Sequence, residues 1–285
     1  MKLQMKRVKY FLSKLIRLPV HIYNEIRFSI LESLSKKSVV TYSHSNSERA
    51  HRLRYSFSSM LYSLNPALIE KLESFDSMRN ESLETATSFK SDLYDLCQIN
   101  AIVKHFNSSS IIEYGSGAST LLFYDLLNKK MIRKFVSVDE SEFWATSTKS
   151  IIQSLYPESY STLSIETCSV IPLDSKAKGI NLAYGVIYDF DPNDKFDFIY
   201  IDGPELNNKF KFSMDPYVYD LIHNDTIIMI DGRGKTCDEL HKNLNQSTTK
   251  WLRFNFSYPS DDTLFVSSIN PRLELFLEKF SNICN

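Results

Sequence analysis

The alternation of short apolar segments with helix-compatible segments between residues 111 and 245 is the feature that most constrains the fold. The predicted strands begin at residue 111 and continue at 134–138, 162–170, 196–201 and 226–230. The predicted helices between them cover 118–129, 142–155 and 235–245. Strands that alternate with helices in this way form a mostly parallel sheet with helices on both faces. The chain is therefore predicted to be an α/β protein.

The C-terminal part of the chain departs from this alternation. Apolar residues at 251–258 and 263–268 flank a Pro-Ser-Asp-Asp turn, which predicts an antiparallel hairpin at one edge of the sheet. A final amphipathic helix is predicted at 271–282. Two other segments lack a clear period: 171–195 is interpreted as a long connection, and 208–223 as a helix or loop.

The chain is predicted to consist of a basic helical N-terminal extension with a linker, residues 1–60, and an α/β domain, residues 61–285. Lead-in helices occupy 61–110. One of them begins at Asn65-Pro66, because Asn is a good N-cap and Pro suits the first helical position. It is predicted to run to about Met78, and a second helix covers 91–106.

Residues 1–37 carry nine Lys/Arg and two Glu, which is a local excess of seven positive charges. Their apolar residues follow a helical spacing that breaks near Pro19. Charges interrupt every apolar run, so the segment is neither a signal peptide nor a membrane span. Two interpretations stay open: peripheral contact with an anionic membrane surface, or docking on the protein itself or on a second subunit.

Charge and cysteine content exclude some classes of function. The whole chain has a net charge of −1, which does not favour a nucleic-acid binder. The four cysteines are scattered without metal-ligand spacing, so we expect free thiols in a reducing compartment. The predicted location is the cytoplasm, with the inner face of a membrane as a possibility for the basic extension. The oligomeric state is not predicted.

Residues 111–120, IIEYGSGAST, predict a strand, a tight glycine turn and the start of a helix. Glycine tolerates a positive φ and lets the backbone approach a ligand closely. The free N–H groups of the following helix then face that ligand. The chain has only seven glycines, and Gly115 and Gly117 are two of them.

Acidic residues follow the other predicted parallel strands. Asp139, Asp202 and Asp231 each come directly after an apolar segment. Open sheets of this kind bind ligands beyond the carboxyl ends of their strands, where the strand order reverses. The sequence therefore predicts that these acids and the glycine turn share one site.

This arrangement resembles the Rossmann-like, class I S-adenosylmethionine-dependent methyltransferases over about residues 90–270. The resemblance depends on Glu113-Tyr-Gly115-Ser-Gly117, on Asp139, on Asp202-Gly-Pro204 and on the segment from Thr226 to Asp231. It implies a methyltransferase sandwich with S-adenosylmethionine as cofactor. The segment EYGSGASTL is similar to bacterial O-methyltransferases of small molecules or sugars, which implies a small-molecule or glycan-precursor acceptor. Ser119 stands where the family has a third glycine.

The resemblance implies a set of cofactor-binding residues: Glu113, Tyr114, Gly115, Ser116, Gly117, Ser119, Asp139, Glu140 and Asp202. Asp139 lies 22 residues after Gly117, close to the interval expected for an acid that accepts ribose hydroxyls. Glu113 would orient the glycine turn and the cofactor's amino group. Asp202 is the predicted catalytic base. Asp202 and Asp231 could together hold a divalent cation, although no metal site is predicted.

Three other functions remain as alternatives. A glycosyltransferase would use Asp189-x-Asp191, an Asp-x-Asp pattern that follows an apolar run. The second is a related transfer on the same cofactor-type fold, such as aminopropyl transfer. The third is a non-catalytic protein that only binds S-adenosylmethionine. For Asp202 and Asp231 the competing interpretation is structural, since Asp-Gly is a common turn pair.

Overall fold

The computed structural model describes Leu64 and residues 66–82, 93–158, 163–173, 184–206, 210–244, 251–255 and 263–267. The predicted basic extension at 1–60 and the predicted helix at 271–282 lie outside these ranges.

The described helices are α1 (Pro66–Ser82), α2 (Leu93–Phe106), α3 (Ala118–Asn128), α4 (Glu142–Leu155), α5 (Asp215–Val218) and α6 (Gly234–Leu244). The described strands are β1 (Ser110–Tyr114), β2 (Lys134–Asp139), β3 (Ile165–Thr167), β4 (Val170–Pro172), β5 (Gly185–Tyr188), β6 (Phe198–Ile201), β7 (Phe212–Ser213), β8 (Ile227–Ile230), β9 (Trp251–Asn255) and β10 (Thr263–Ser267). No helix among the described residues combines the length and apolar character needed to span a membrane.

The main sheet has the strand order β3-β2-β1-β6-β8-β10-β9 within the described residues. The pairs from β3 to β8 are parallel, whereas β10 runs antiparallel to both β8 and β9. The chain builds outward from β1 to β3 and then crosses back to β6 on the other side of β1. This reversal puts the crevice of the fold beside the carboxyl end of β1. The predicted Rossmann-like methyltransferase sandwich with an antiparallel terminal hairpin is confirmed.

Both faces of the main sheet are buried, because successive residues of its central strands point to opposite faces and pack against helices on each. On one face, Phe123 of α3 packs against Phe135, Phe198 and Tyr200, with ring centroids 5.3–6.1 Å apart. On the other face, α6 contributes Leu240 and Leu244 to a core that also holds alternate residues of β1, β6 and β8. All residues of β6 and β8 are buried, which explains their unbroken apolar sequences.

A smaller sheet with the order β4-β5-β7 corrects three of the predictions. The strand predicted at 162–170 is two strands in different sheets, because the chain leaves the main sheet at Cys168-Ser169. The predicted long connection contains β5, and 208–223 contains β7 and α5. These strands have two to four residues, which is too short for a periodic signal.

The smaller sheet lies against the carboxyl end of β1. Tyr188, the last residue of β5, stacks on Tyr114, the last residue of β1, with ring centroids 5.3 Å apart. The buried carboxylate of Asp215 accepts the Tyr188 N–H at 2.7 Å and so joins α5 to β5. The smaller sheet therefore forms part of the wall beside the predicted site.

Candidate active site

Neighbouring strands bring the glycine turn and the predicted acids to one edge of the main sheet. Backbone hydrogen bonds join these strand ends: Gly115 N to Val138 O at 2.8 Å, Asp202 N to Tyr114 O at 2.8 Å, and Asp231 N to Ile201 O at 3.0 Å. Asp139 directly follows Val138 at the end of β2. The prediction that Gly115, Asp139, Asp202 and Asp231 share one edge is confirmed.

The glycine turn requires glycine for two separate reasons. Gly115 has φ +98°, a conformation that side chains disfavour. A Cβ at this position would lie 2.8 Å from Gly203 N and 2.9 Å from the Asp202 carbonyl carbon. Gly203 is equally confined, because a Cβ there would lie 2.2 Å from the Tyr188 hydroxyl. The close approach of the two loops sets the shape of the crevice.

Glu113 anchors the start of α3 from inside the protein. Its side chain is completely buried, and Oε2 accepts hydrogen bonds from Thr120 Oγ1 at 2.7 Å and Ser137 Oγ at 2.8 Å. Thr120 Oγ1 in turn accepts the Gly117 N–H at 2.7 Å. Burial raises the pKa of Glu113 to about 8, although Ser119, Thr120 and Ser137 oppose this by hydrogen bonding. Glu113 Oε1 has no hydrogen-bond partner among the described residues.

Asp139 orders the middle of the glycine turn. Oδ2 accepts both the N–H of Ser116, at 2.7 Å, and its hydroxyl, while Oδ1 accepts the Ser141 N–H at 2.8 Å. Burial raises the pKa of Asp139, and these hydrogen bonds oppose the rise. A carboxylate offers about four lone-pair sites, so further acceptor capacity remains on Asp139.

Glu140 ties three parts of the site together. Oε2 accepts the Tyr188 hydroxyl at 2.7 Å, and Oε1 accepts the Glu205 N–H at 2.8 Å. These bonds connect the end of β2 to the smaller sheet and to the loop after β6. Sequence reasoning predicted Glu140 at the site, but not these partners, which lie far away in the chain.

Asp202 presents a solvent-accessible carboxylate at the edge, with its side chain 52% exposed. Loss of solvation and the Asp231 carboxylate raise its pKa to about 7, whereas Arg233 and Arg79 act in the opposite direction. Arg233 donates to Asp202 O and to Pro204 O and lies 3.7 Å from Asp202 Oδ1. The Tyr200 hydroxyl donates to Asp231 Oδ2 at 3.2 Å.

Arg79 of α1 is a residue of this edge that sequence reasoning missed. A Cβ on Gly117 would lie 3.3 Å from Arg79 Nη1, so the guanidinium lies directly over the glycine turn. The guanidinium also stacks on Trp144, 4.3 Å from the ring centroid. Burial lowers the pKa of Arg79, and Asp76, Asp139 and Asp202 oppose this. The available signal was helical spacing: Arg79 continues the series of buried residues at Leu72 and Phe75.

The remaining predicted residues have defined places. The Tyr114 side chain is fully buried against Tyr188, so only its backbone is available to a ligand. Ser119 is buried, and its side chain opposes the rise in the pKa of Glu113. Asp189 and Asp191 follow β5 of the smaller sheet, and Asp191 Oδ1 accepts the Asn193 N–H in a local turn. The described residues contain no group of three or more His, Cys, Asp or Glu side chains able to hold a metal ion.

The strand order and the glycine turn define a Rossmann-like α/β fold with an antiparallel terminal hairpin. This is the fold that the resemblance in the sequence implied. No protein-family model matches the chain, and no curated protein matches it.

Several solved structures resemble the chain at low sequence identity. SAH-bound methyltransferase PaMTH1 from Podospora anserina is 15% identical with a TM-score of 0.45, over 77% of this chain and 100% of that one. O-methyltransferase TomG from Streptomyces achromogenes, solved with SAM, is 14% identical with a TM-score of 0.42, and the match covers 74% of this chain and 93% of that one. A Bacillus cereus O-methyltransferase solved with SAH is 16% identical with a TM-score of 0.42, over 74% and 94%.

Proposed function

We propose that this chain is an S-adenosylmethionine-dependent methyltransferase that acts on an oxygen of a small molecule or of a sugar or glycan precursor. The observation that carries the proposal is the edge itself, where the glycine turn, Asp139 and Asp202 meet beside the reversal of strand order. Ligands of open α/β sheets bind at this point.

The donor groups at the edge fit a sulfonium nucleoside. Glu113 Oε1 is a buried oxygen without a hydrogen-bond partner among the described residues, and the positive amino group of a bound cofactor would favour the ionised, accepting form of this carboxyl. Asp139 retains acceptor capacity for ribose hydroxyls. The absence of a side chain at Gly115 lets the loop after β6 approach the glycine turn, and this approach shapes the crevice. The carboxylates at this edge also favour a positively charged ligand.

The cofactor would supply a methyl group on a positively charged sulfur. The part left to the protein is to hold the acceptor in line and to remove its hydroxyl proton. Asp202 is the residue that we assign to the second task, because its carboxylate is accessible and its pKa is raised to about 7. A base with a pKa near the working pH is partly ionised and still strong enough to accept the proton.

The first test is isothermal titration of the full chain with S-adenosylhomocysteine and, separately, with nucleotide sugars. We expect binding of the first ligand alone. Binding of a nucleotide sugar alone would favour the glycosyltransferase, although Asp189 and Asp191 follow β5 of the smaller sheet and do not lie at the ends of the main parallel strands. Transfer of a labelled methyl group from S-adenosylmethionine to an acceptor would then exclude a protein that only binds the cofactor.

The second test concerns Asp139. Asp139→Ala is expected to weaken S-adenosylhomocysteine binding by about tenfold or more, because a charged hydrogen-bond partner contributes roughly 1.5–3 kcal/mol. Ser116→Ala is the matched control, since it removes only the hydroxyl that Asp139 holds. If Asp139 binds the ribose, Asp139→Ala should lose the wild-type preference for S-adenosylhomocysteine over its 2′,3′-dideoxy analogue, while Ser116→Ala keeps it. An unchanged preference in Asp139→Ala would show that Asp139 serves only to order the turn.

A further inference from the structure

Arg79 is placed on the glycine turn by an element outside the main sheet. It belongs to α1, which packs against α3 and α4, and its Nη1 lies 3.3 Å from the position that a Gly117 Cβ would occupy. The Trp144 ring holds the flat guanidinium at 4.3 Å through a cation–π contact. A guanidinium remains protonated at neutral pH even when it is partly buried. The glycine turn therefore has a permanent positive charge on its open side.

This charge lies in surroundings that are otherwise acidic. Asp139 and Asp202 both interact electrostatically with Arg79. Arg233 also acts on Asp202, but it donates to the backbone oxygens of Asp202 and Pro204. The first turn of α3 adds N–H groups and the positive end of a helix dipole beside Gly117. Arg79 and the start of α3 thus both place positive charge beside Gly117.

We propose that Arg79 binds the carboxylate of the cofactor's amino-acid end and so fixes that end on the glycine turn. This inference rests on the proposed function. The carboxylate is the one anionic group of S-adenosylmethionine, whereas its amine and sulfonium are positive and its adenosine is neutral. A guanidinium matches a carboxylate with two parallel N–H donors, which a point charge such as lysine cannot do.

The test compares two ligands that differ by this carboxylate alone: S-adenosylmethionine and decarboxylated S-adenosylmethionine. Titration calorimetry measures both with wild type, Arg79→Gln and Arg133→Gln. Arg133 is the matched control, an exposed arginine at the opposite end of β2 that donates to Ser109 Oγ at 3.0 Å. Thermal unfolding of each protein checks that the variants are folded.

We expect wild type and Arg133→Gln to bind S-adenosylmethionine about tenfold or more tightly than its decarboxylated form. In Arg79→Gln this preference should disappear, with affinity lost for S-adenosylmethionine only. Equal weakening of both ligands, or unchanged affinity for S-adenosylmethionine, would overturn the proposal. Unchanged affinity together with a raised KM for an anionic acceptor would place the anion on the acceptor instead.

Two outcomes separate this inference from the proposed function. If wild type binds neither ligand, the proposed function itself fails. If wild type binds both ligands equally well, only the role of Arg79 fails. Should Arg79→Gln not fold, Arg79→Lys takes its place: we expect it to lose part of the preference, because it keeps the charge without the planar pair of donors.

Discussion

At the scale of single residues, the site is characterised by carboxyl groups whose pKa values are raised above their usual range. Glu113 is completely buried, and its pKa is raised to about 8 from a usual value of 4.5. The pKa of Asp202, at the open edge, is raised to about 7. Such perturbed acids cluster at functional sites, where the protein spends stability to obtain a particular charge state.

The raised pKa of Glu113 predicts how the stability of the protein depends on pH. Its pKa is higher in the folded than in the unfolded chain, so the folded state binds the extra proton between about pH 4.5 and 8. The free energy of unfolding should therefore fall as pH rises through this window. Glu113→Gln, which imitates the protonated acid, should lose less stability than wild type between pH 5 and pH 8. Denaturant titrations at both pH values measure this, and parallel losses in the two proteins would contradict it.

Asp202 predicts how the reaction depends on pH. A base must be unprotonated, so methyl transfer at saturating cofactor should rise with pH through about 7. Asp202→Asn should lower turnover roughly 10²–10⁴-fold, the usual contribution of a positioned base. Turnover with a hydroxyl acceptor at saturating cofactor measures both effects.

Asp231→Asn is the companion variant for this prediction. The Asp231 carboxylate helps to raise the pKa of Asp202, so its removal should move the rising part of the pH profile to lower pH. If Asp202→Asn keeps its activity, or if the profile does not move in Asp231→Asn, another group removes the proton.

At the scale of elements, the site is assembled where loops from neighbouring strands approach closely. The turn after β1 and the loop after β6 meet at Gly115 and Gly203, and the Tyr188 hydroxyl of the smaller sheet closes the third side. Glu140 then joins the end of β2 to both neighbours. The crevice is therefore formed by several loops, and each loop restricts the position of its neighbours.

Gly115→Ala tests this close packing. A side chain at φ +98° costs about 1–3 kcal/mol in backbone strain alone. The added Cβ would also lie 2.8 Å from backbone nitrogen of the neighbouring loop, which cannot move as a flexible side chain can. We expect a lower melting temperature and loss of S-adenosylhomocysteine binding.

Gly234→Ala is the matched control for this substitution. Gly234 is exposed at the start of α6, and a Cβ there would meet nothing within 4 Å. Alanine restricts the unfolded chain more than glycine does, so this variant should be neutral or more stable by about 0.4–1 kcal/mol. Equal effects at Gly115 and Gly234 would show that the turn tolerates a side chain.

At the scale of the whole molecule, charge is distributed unevenly along the sequence. Residues 1–37 hold nine Lys/Arg and two Glu, while the remaining residues hold 24 Lys/Arg and 32 Asp/Glu, a net charge of −8. The edge of the sheet that holds the candidate site belongs to the acidic part. Of the two interpretations of the basic segment, contact with an anionic membrane surface and docking on protein, we propose the first.

Deletion of residues 1–37 tests this interpretation. Each basic residue near an anionic bilayer contributes about 1 kcal/mol of attraction, which salt screens. We expect the full chain to co-sediment with vesicles containing anionic lipid, less so at high salt, and the truncated chain to remain in the supernatant. Vesicles of neutral lipid are the control. Unchanged partitioning after the deletion would favour docking on protein instead.

The sequence by itself determined the order and type of the main elements and the position of the acids at strand ends. Apolar runs such as 198–201 and 227–230 predict buried strands because every residue in them is apolar. Parallel strands then bring their carboxyl ends to one edge, so the proximity of Gly115, Asp139 and Asp202 follows from topology. None of these inferences needs knowledge of a distant contact.

Only the tertiary structure decided which side chains complete that edge. Arg79 reaches Gly117 because α1 packs against α3 and α4, and Glu140 finds Tyr188 and Glu205 across loops that are distant in the chain. The smaller sheet is formed by strands of two to four residues, which gain stability from their partners and not from local pattern. Local sequence encodes periodicity and turns, whereas contacts between remote segments depend on how all the faces pack together.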